Sequence, residues 1–136
     1  YDRFDFEEMS RRAVGRYWRK FREDEKKEFI KLFGKMLEKS YIDKIESYTD
    51  ERVEYLSEDT DNGYGIARTK IIKTDGVEVP INYKLLNKDG RWLVYDVLIE
   101  GVSLVNNYRT QFRSILRRHK PEYLVQKLKD KTGAAD

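Results

Sequence analysis

The chain has 136 residues, a length that suits one domain, and it carries 39% hydrophobic residues, 39% charged residues and a net charge of +3. With glycine counted, roughly 45% of residues are apolar, at the low edge of the globular range. The lack of cysteine excludes a disulfide framework and a cysteine metal site, and no apolar run reaches the ~20 residues a membrane-spanning helix needs.

In chain order, Phe6 to Val14 reads as a short helix behind Asp5, a residue type that caps helix N-termini, and Gly15 weakens its end. Gly15 to Lys20 is an aromatic and basic connector whose conformation the sequence leaves open. Glu23 to Tyr48 reads as one long amphipathic helix. Glu23, Asp24 and Glu25 oppose the dipole at its start. Phe29, Ile30, Phe33, Met36, Leu37, Tyr41, Ile45 and Tyr48 share a broad apolar face, with Lys31, Lys35 and Glu38 opposite.

Four strand signals follow: Arg52 to Ser57, Tyr64 to Lys73, Glu78 to Leu86 and Arg91 to Ile99. The turn sequences Asp61-Asn62-Gly63, Asp75-Gly76 and Asn87-Lys88-Asp89-Gly90 join them as antiparallel neighbours. Val79, Ile81, Tyr83 and Leu85 alternate with polar residues, so one face of the third strand is buried. The fourth strand is apolar on both faces apart from Asp96, which predicts a central position. Ser103 then caps a helix over Leu104 to His119, whose apolar arc is Leu104, Val105, Tyr108, Phe112, Ile115 and Leu116. Arg109, Arg113 and Arg117 form a separate row at four-residue spacing. Pro121 interrupts, and Tyr123 to Leu128 adds a helical turn or two before a frayed end. The expected fold is α+β: a curved four-stranded antiparallel sheet packed against helices, cone-like (NTF2-like), with an apolar cavity, in one domain over residues 1–136.

Catalytic sets are thin. The only histidine, His119, sits at the basic end of a helix, where a cation suits the dipole. No Gly-x-Ser-x-Gly motif or Gly-rich phosphate loop is present. Asp96 is the one carboxylate inside an apolar strand. Alternation makes it a solvent-facing or hydrogen-bonded residue, and the alternative is a general base in a cone-shaped small-ligand enzyme, paired with Tyr95 or Tyr83. Asp59-x-Asp61-Asn62-Gly63 begins like a calcium loop, but the twelfth position is Lys70 rather than glutamate, so it reads as a turn.

Two basic clusters stand out. Arg11, Arg12, Arg16, Arg19, Lys20 and Arg22 interleave with Tyr17, Trp18 and Phe21, and Arg109, Arg113, Arg117, Arg118 and Lys120 lie without acids among them. A nucleic-acid-binding module uses such patches, yet no recognition motif accompanies them; they read first as a solvated face, and second as an attraction to phosphate headgroups or anionic partners. The wide apolar face of the long helix is either ordinary core or the lining of a ligand cavity.

The stretch Tyr95-Asp96-Val97-Leu98-Ile99-Glu100-Gly101-Val102-Ser103-Leu104-Val105-Asn106-Asn107-Tyr108-Arg109-Thr110-Gln111-Phe112 resembles the Mla-pathway (MlaC, toluene-tolerance auxiliary) family of periplasmic phospholipid-binding proteins. Phe4 to Ser10, Gly15 to Arg19, the rhythm Phe29, Phe33, Leu37, Tyr41, then Val53-Glu54-Tyr55 and Lys88 to Trp92 are similar as well, so the resemblance runs from Phe4 to Leu128. It implies a non-enzymatic, monomeric periplasmic carrier without a cofactor, with phospholipid as cargo, acyl tails inside and headgroup outside. Its implied partners are an outer-membrane lipoprotein–porin complex and an inner-membrane ABC transporter with a lipid-binding ring, and no nucleic acid. Family precursors begin with a signal peptide and further helical sequence before the Phe-Asp-Phe region, so the expectation is a chain lacking both, with an apolar groove less completely walled.

On this reading the tails lie along Phe29, Phe33, Met36, Leu37 and Tyr41 of the long helix, Tyr83, Leu85, Val97 and Ile99 of the sheet, and Val102, Leu104, Tyr108 and Phe112 at the last strand–helix junction. Arg16, Arg19 and Arg109 are the headgroup-proximal candidates.

Overall fold

The computed structural model describes residues 3–42 and 52–133. The chain forms two compact units: Tyr1–Asp5 with Glu46–Val105, and Phe6–Ile45 with Asn106–Asp136. The first holds the strands and the second most of the helical residues, which is the α+β class expected.

In the helical unit, α1 spans Phe6–Val14 as the sequence predicts. Glu8 pairs with both Arg11 and Arg12, the latter at 2.7 Å. Gly15–Lys20 forms a 3-10 helix, the conformation the sequence left open. Helix α2 spans Glu23–Leu37. Glu25 Oε1 accepts the Arg22 backbone N–H at 2.8 Å, satisfying a donor that a helix start otherwise leaves unpaired. The expected single helix is met as far as Ile42 with a change of winding, and its last part, 43–48, lies outside the described residues. The α-helix stops at Leu37 and passes into a π-helical stretch, Glu38–Ile42. A π turn shifts the register by about one residue, too little to disturb the apolar spacing of Leu37 and Tyr41, so periodicity could not reveal it. Ile45 and Tyr48 lie outside the described residues.

Helix α3 spans Leu104–Leu116, one turn shorter than expected. Helix α4 spans Pro121–Thr132, where the sequence suggested a turn or two after an interruption. Pro121 begins this helix rather than breaking a previous one. At the first helical position its missing N–H has no partner to lose and its φ is already helical. Leu124, Val125 and Leu128 are buried along one side of α4.

In the strand unit, a meander runs in spatial order β1 to β5: Arg52–Asp61, Tyr64–Ile72, Glu78–Lys88, Arg91–Ile99 and Val102–Ser103, all antiparallel. Three of its turns, Asn62-Gly63, Asp89-Gly90 and Glu100-Gly101, place two successive residues at positive φ. That is the two-residue hairpin geometry that matches strand twist. The last of these corrects the strand count from four to five. Glu100-Gly101 folds the chain back so that Val102 pairs with Ile99 and Ser103 with Leu98. β1 also runs to Asp61, so Asp59 belongs to a strand, where Arg68 donates to it at 2.6 Å across the ladder.

The expected central position of β4 is met in two pieces. β3 lies along one side. The other side is covered by β5 and by a parallel bridge from Phe4 to Val94, in which Val94 N donates to Arg3 O at 2.6 Å and Asp5 N to Val94 O at 2.9 Å. The β3–β4 register slips by one residue at Tyr95, opposite Lys84 and Leu85. This bulge breaks the simple alternation that the sequence suggested, and Val94, Asp96 and Val97 are all buried.

Candidate functional site

The apolar rhythm of α2 and α3 becomes a chain of ring contacts in the helical unit. Phe29 meets Trp18, Phe21 and Phe112 edge-on, and Phe33 meets Tyr108 and Phe112 at 5.5 and 5.4 Å between centroids. Edge-to-face pairs at this separation add to plain area burial because ring edges and faces carry opposite partial charge. Tyr41, on the π turn, stands edge-on to Tyr108 at 6.3 Å. Burial and a hydrogen bond with Tyr41 hold the Tyr108 phenol well above its ordinary pKa. Leu32 is buried in the same face, although the sequence reading passed over it.

Beside these rings lies a cavity of about 460 Å³, within the size range of small-ligand sites. Its apolar lining is Met36, Tyr108, Phe112, Ile115, Leu124 and Leu128, and its polar lining is Gln111, Lys127, Asp130 and Lys131. The structure therefore brings three of the candidate lining residues, Met36, Tyr108 and Phe112, into one hollow with two lysines at its margin. Leu124 and Leu128 escape a reading of the sequence in which Tyr123 to Leu128 adds only a turn or two. The available signal was Pro121 followed by Glu122, a helix start, and then apolar residues at positions 124, 125 and 128.

The other candidates are placed as follows. Phe29, Phe33 and Leu37 are fully buried among the rings of the helical unit. In the strand unit, Val97 and Leu104 are buried, Tyr83, Leu85 and Ile99 are half-buried, and Val102 on β5 is 60% exposed. Arg16 and Arg19 lie exposed on the 3-10 helix, and Arg109 lies exposed on α3. Arg16 stacks over the Tyr17 ring at 5.3 Å. Of the first basic cluster, Arg11, Arg12 and Arg22 are paired with Glu8, Asp24 and Glu25.

Asp96 is buried at 6% exposure, so of the two states the sequence offered it is the hydrogen-bonded one. Its Oδ1 accepts the backbone N–H groups of Val97 at 2.8 Å and Val105 at 3.1 Å, and its Oδ2 accepts the Ser103 hydroxyl at 2.5 Å. The carboxylate thus ties β4 to the first turn of α3. All three donors serve structure, a poor arrangement for a base that must take a proton from a substrate. His119 stacks on Tyr123 at 3.7 Å on the helix-end turn. Among the described residues no cluster of three metal-ligating side chains occurs, and no helix is long and apolar enough to cross a membrane.

An α+β architecture with a strand meander, an aromatic helical core and an apolar hollow margined by lysines defines a class of protein suited to holding an apolar molecule. Within that class, the chain belongs to the MlaC protein family, whose model matches residues 1–130. It is 27% identical over 122 residues to the intermembrane phospholipid transport system binding protein MlaC of Haemophilus influenzae, which covers 86% of this chain and 57% of that relative. The chain therefore spans a little over half the length of this curated relative. Its fold is similar to that of the phospholipid-binding protein from Ralstonia solanacearum, solved in complex with a phospholipid. The TM-score is 0.86 at 24% identity, over 98% of this chain and 75% of that one.

Proposed function

We propose that this protein is a periplasmic phospholipid carrier that exchanges lipid with membrane-bound complexes and performs no chemistry of its own. The observation that carries the reading is membership of the MlaC family along residues 1–130. The apolar hollow in the helical unit and the half-buried apolar residues of the sheet add physical support. The Haemophilus influenzae relative belongs to an intermembrane phospholipid transport system, and the structural neighbour holds a phospholipid. The outer-membrane lipoprotein–porin complex and the inner-membrane ABC transporter are the partners this role calls for.

A carrier is needed for a simple reason. Each methylene moved from hydrocarbon into water costs about 0.8 kcal/mol. Two acyl chains with on the order of 30 methylenes would therefore cost on the order of 20 kcal/mol to expose. An apolar cavity removes most of that barrier, while a headgroup left in water avoids burying its charge. In this reading the tails contact Met36, Tyr41, Tyr108 and Phe112 in the helical unit, with the fully buried Phe29, Phe33 and Leu37 packed behind them. Tyr83, Leu85, Val97, Ile99, Val102 and Leu104 offer the apolar surface of the strand unit. Arg16, Arg19 and Arg109 attract the phosphate.

The test is transfer of a fluorescent phospholipid from liposomes to the purified protein. The expected result is saturable, one-to-one uptake that slows when Arg16 and Arg109 are changed to glutamate, with the slowing reduced in salt because surface attraction is screened. Absence of uptake by the unmodified protein would remove the reading.

A further inference from the structure

Arg113 and Arg117 have no place in the lipid reading, yet the structure gives them a defined setting. With Arg109 they form a row along α3 and the turn that follows it, Arg109 and Arg117 exposed and Arg113 half-buried, interspersed with Asn106, Thr110 and Ser114, and these six residues line a groove of about 390 Å³. Among the described residues, no ion pair with a carboxylate involves any of the three arginines, whereas Arg11, Arg12, Arg22 and Arg68 all have acidic partners. α3 has no acid in its first turn to neutralise them.

Neighbouring residues hold the row in place. Gly15 has φ +60, a conformation that favours glycine, and the Arg109 guanidinium lies beside it, 3.4 Å from where a side-chain carbon would stand. At the other end the guanidiniums of Arg16 and then Arg117 hold the Tyr17 phenol below its ordinary pKa, by hydrogen bonding foremost and by charge. Successive arginines are about 6 Å apart along the helix and the row is about 12 Å long, at 1.5 Å per residue. That is too long for one phosphate or carboxylate to span, and it matches a partner that presents several anions in line.

The side chains between the arginines favour a protein over a membrane or a nucleic acid. A helix that lies on a bilayer offers apolar side chains beside its cations. Here the apolar side of α3, with Tyr108, Phe112 and Leu116, is buried, and no exposed large apolar residue described in the structure lies on this helix. Single-stranded nucleic acid needs aromatic platforms, and the one tyrosine at hand, Tyr17, is 7% exposed. Arginine forks engage carboxylates in pairs of parallel hydrogen bonds, and small amides and hydroxyls leave space for them. We infer that the Arg109–Arg113–Arg117 face is a docking surface for an acidic protein helix that carries Asp or Glu at four-residue spacing.

The experiment uses a labelled helical peptide with glutamate at every fourth position of one face, a glutamine version of it, and phosphatidylglycerol vesicles. Binding to the full chain is read by fluorescence anisotropy and co-sedimentation over a salt series. The glutamate peptide is expected to bind, to weaken steeply with salt, and to lose about tenfold in affinity with Arg113→Gln/Arg117→Gln, as close charge pairs at interfaces do. Arg113→Lys/Arg117→Lys, which keeps the charge but not the paired hydrogen bonds, is expected to recover part of the loss, and circular dichroism to remain that of the parent. Equal binding of the glutamine peptide, no effect of the glutamine variant, or no recovery by lysine would overturn the inference. Vesicle binding that depends on Arg113 and Arg117 while the peptide does not bind would replace it with a membrane surface.

Discussion

The two units of this chain treat apolar side chains in opposite ways. In the helical unit, Phe21, Phe29, Phe33, Tyr108 and Phe112 are each at most 6% exposed and pack against one another, mostly edge-on. In the strand unit, Tyr55, Leu56, Tyr64, Val77, Trp92 and Val102 are each at least 41% exposed, whereas among the described residues of the helical unit the one exposed large apolar side chain is Tyr123, at 39%. A helix of 3.6-residue period gathers its apolar residues on one side, where neighbouring helices can cover them completely. A strand of period two sends alternate residues to opposite faces, and each face needs its own cover. The comparison teaches that the rings of the helical unit contribute chiefly to stability, whereas much of the apolar surface of the sheet is surplus to it and free to meet something else.

The largest expected effect breaks the helical side of that contrast. Phe33→Ala removes a fully buried ring that contacts Phe29, Tyr108 and Phe112. It should cost about 3–5 kcal/mol in urea unfolding. A cost near zero would mean that the ring faces a ligand space rather than a packed core. Asp96→Ala comes next, at about 3 kcal/mol, because it removes the buried carboxylate that accepts from Val97, Ser103 and Val105 and ties β4 to the start of α3. Its lipid uptake, measured at a temperature where the variant is folded, should persist, since Asp96 holds structure rather than reacting.

A pH titration sharpens the same contrast. The Tyr108 phenol has its pKa raised in the folded state by burial and by its bond with Tyr41. The unfolded chain therefore releases this proton first as pH rises. The stabilisation is complete below about pH 10, the ordinary tyrosine value, and is lost as pH climbs from there through the folded value. Tyr108→Phe should flatten that alkaline loss, which thermal melts across pH 9 to 12 would show. The smallest effect belongs to the strand side. Leu56→Ser, at an exposed position where the β1–β2 register slips, should change stability by less than about 0.5 kcal/mol. A larger loss would show that the outward apolar residues of the sheet are already covered.

Much of this was legible in the sequence where one physical signal dominated. The 3.6 period gave α2 and its buried Phe29, Phe33, Met36 and Leu37. Asn-Gly and Asp-Gly pairs placed the hairpins, and an apolar run on both faces placed β4 between neighbours. What stayed hidden depended on partners distant in sequence. The bulge at Tyr95 is a property of two strands, so no alternation within β4 reveals it, and the burial of Asp96 went with it. The π turn after Leu37 leaves side-chain spacing almost unchanged. Pro121 was ambiguous because the same ring that breaks a helix interior fits a helix start, and that ambiguity concealed Leu124 and Leu128 in the cavity wall. Arg109, Arg113 and Arg117 were visible as a row, but their place beside Gly15 and Tyr17 required the fold.

The central claim is that this chain holds phospholipid, and native mass spectrometry of the freshly purified protein tests it most directly. The account predicts a species heavier than the bare chain by the mass of one phospholipid, which collision releases intact and which returns after delipidated protein is incubated with liposomes. A spectrum of the bare chain alone, unchanged by liposomes, would contradict it.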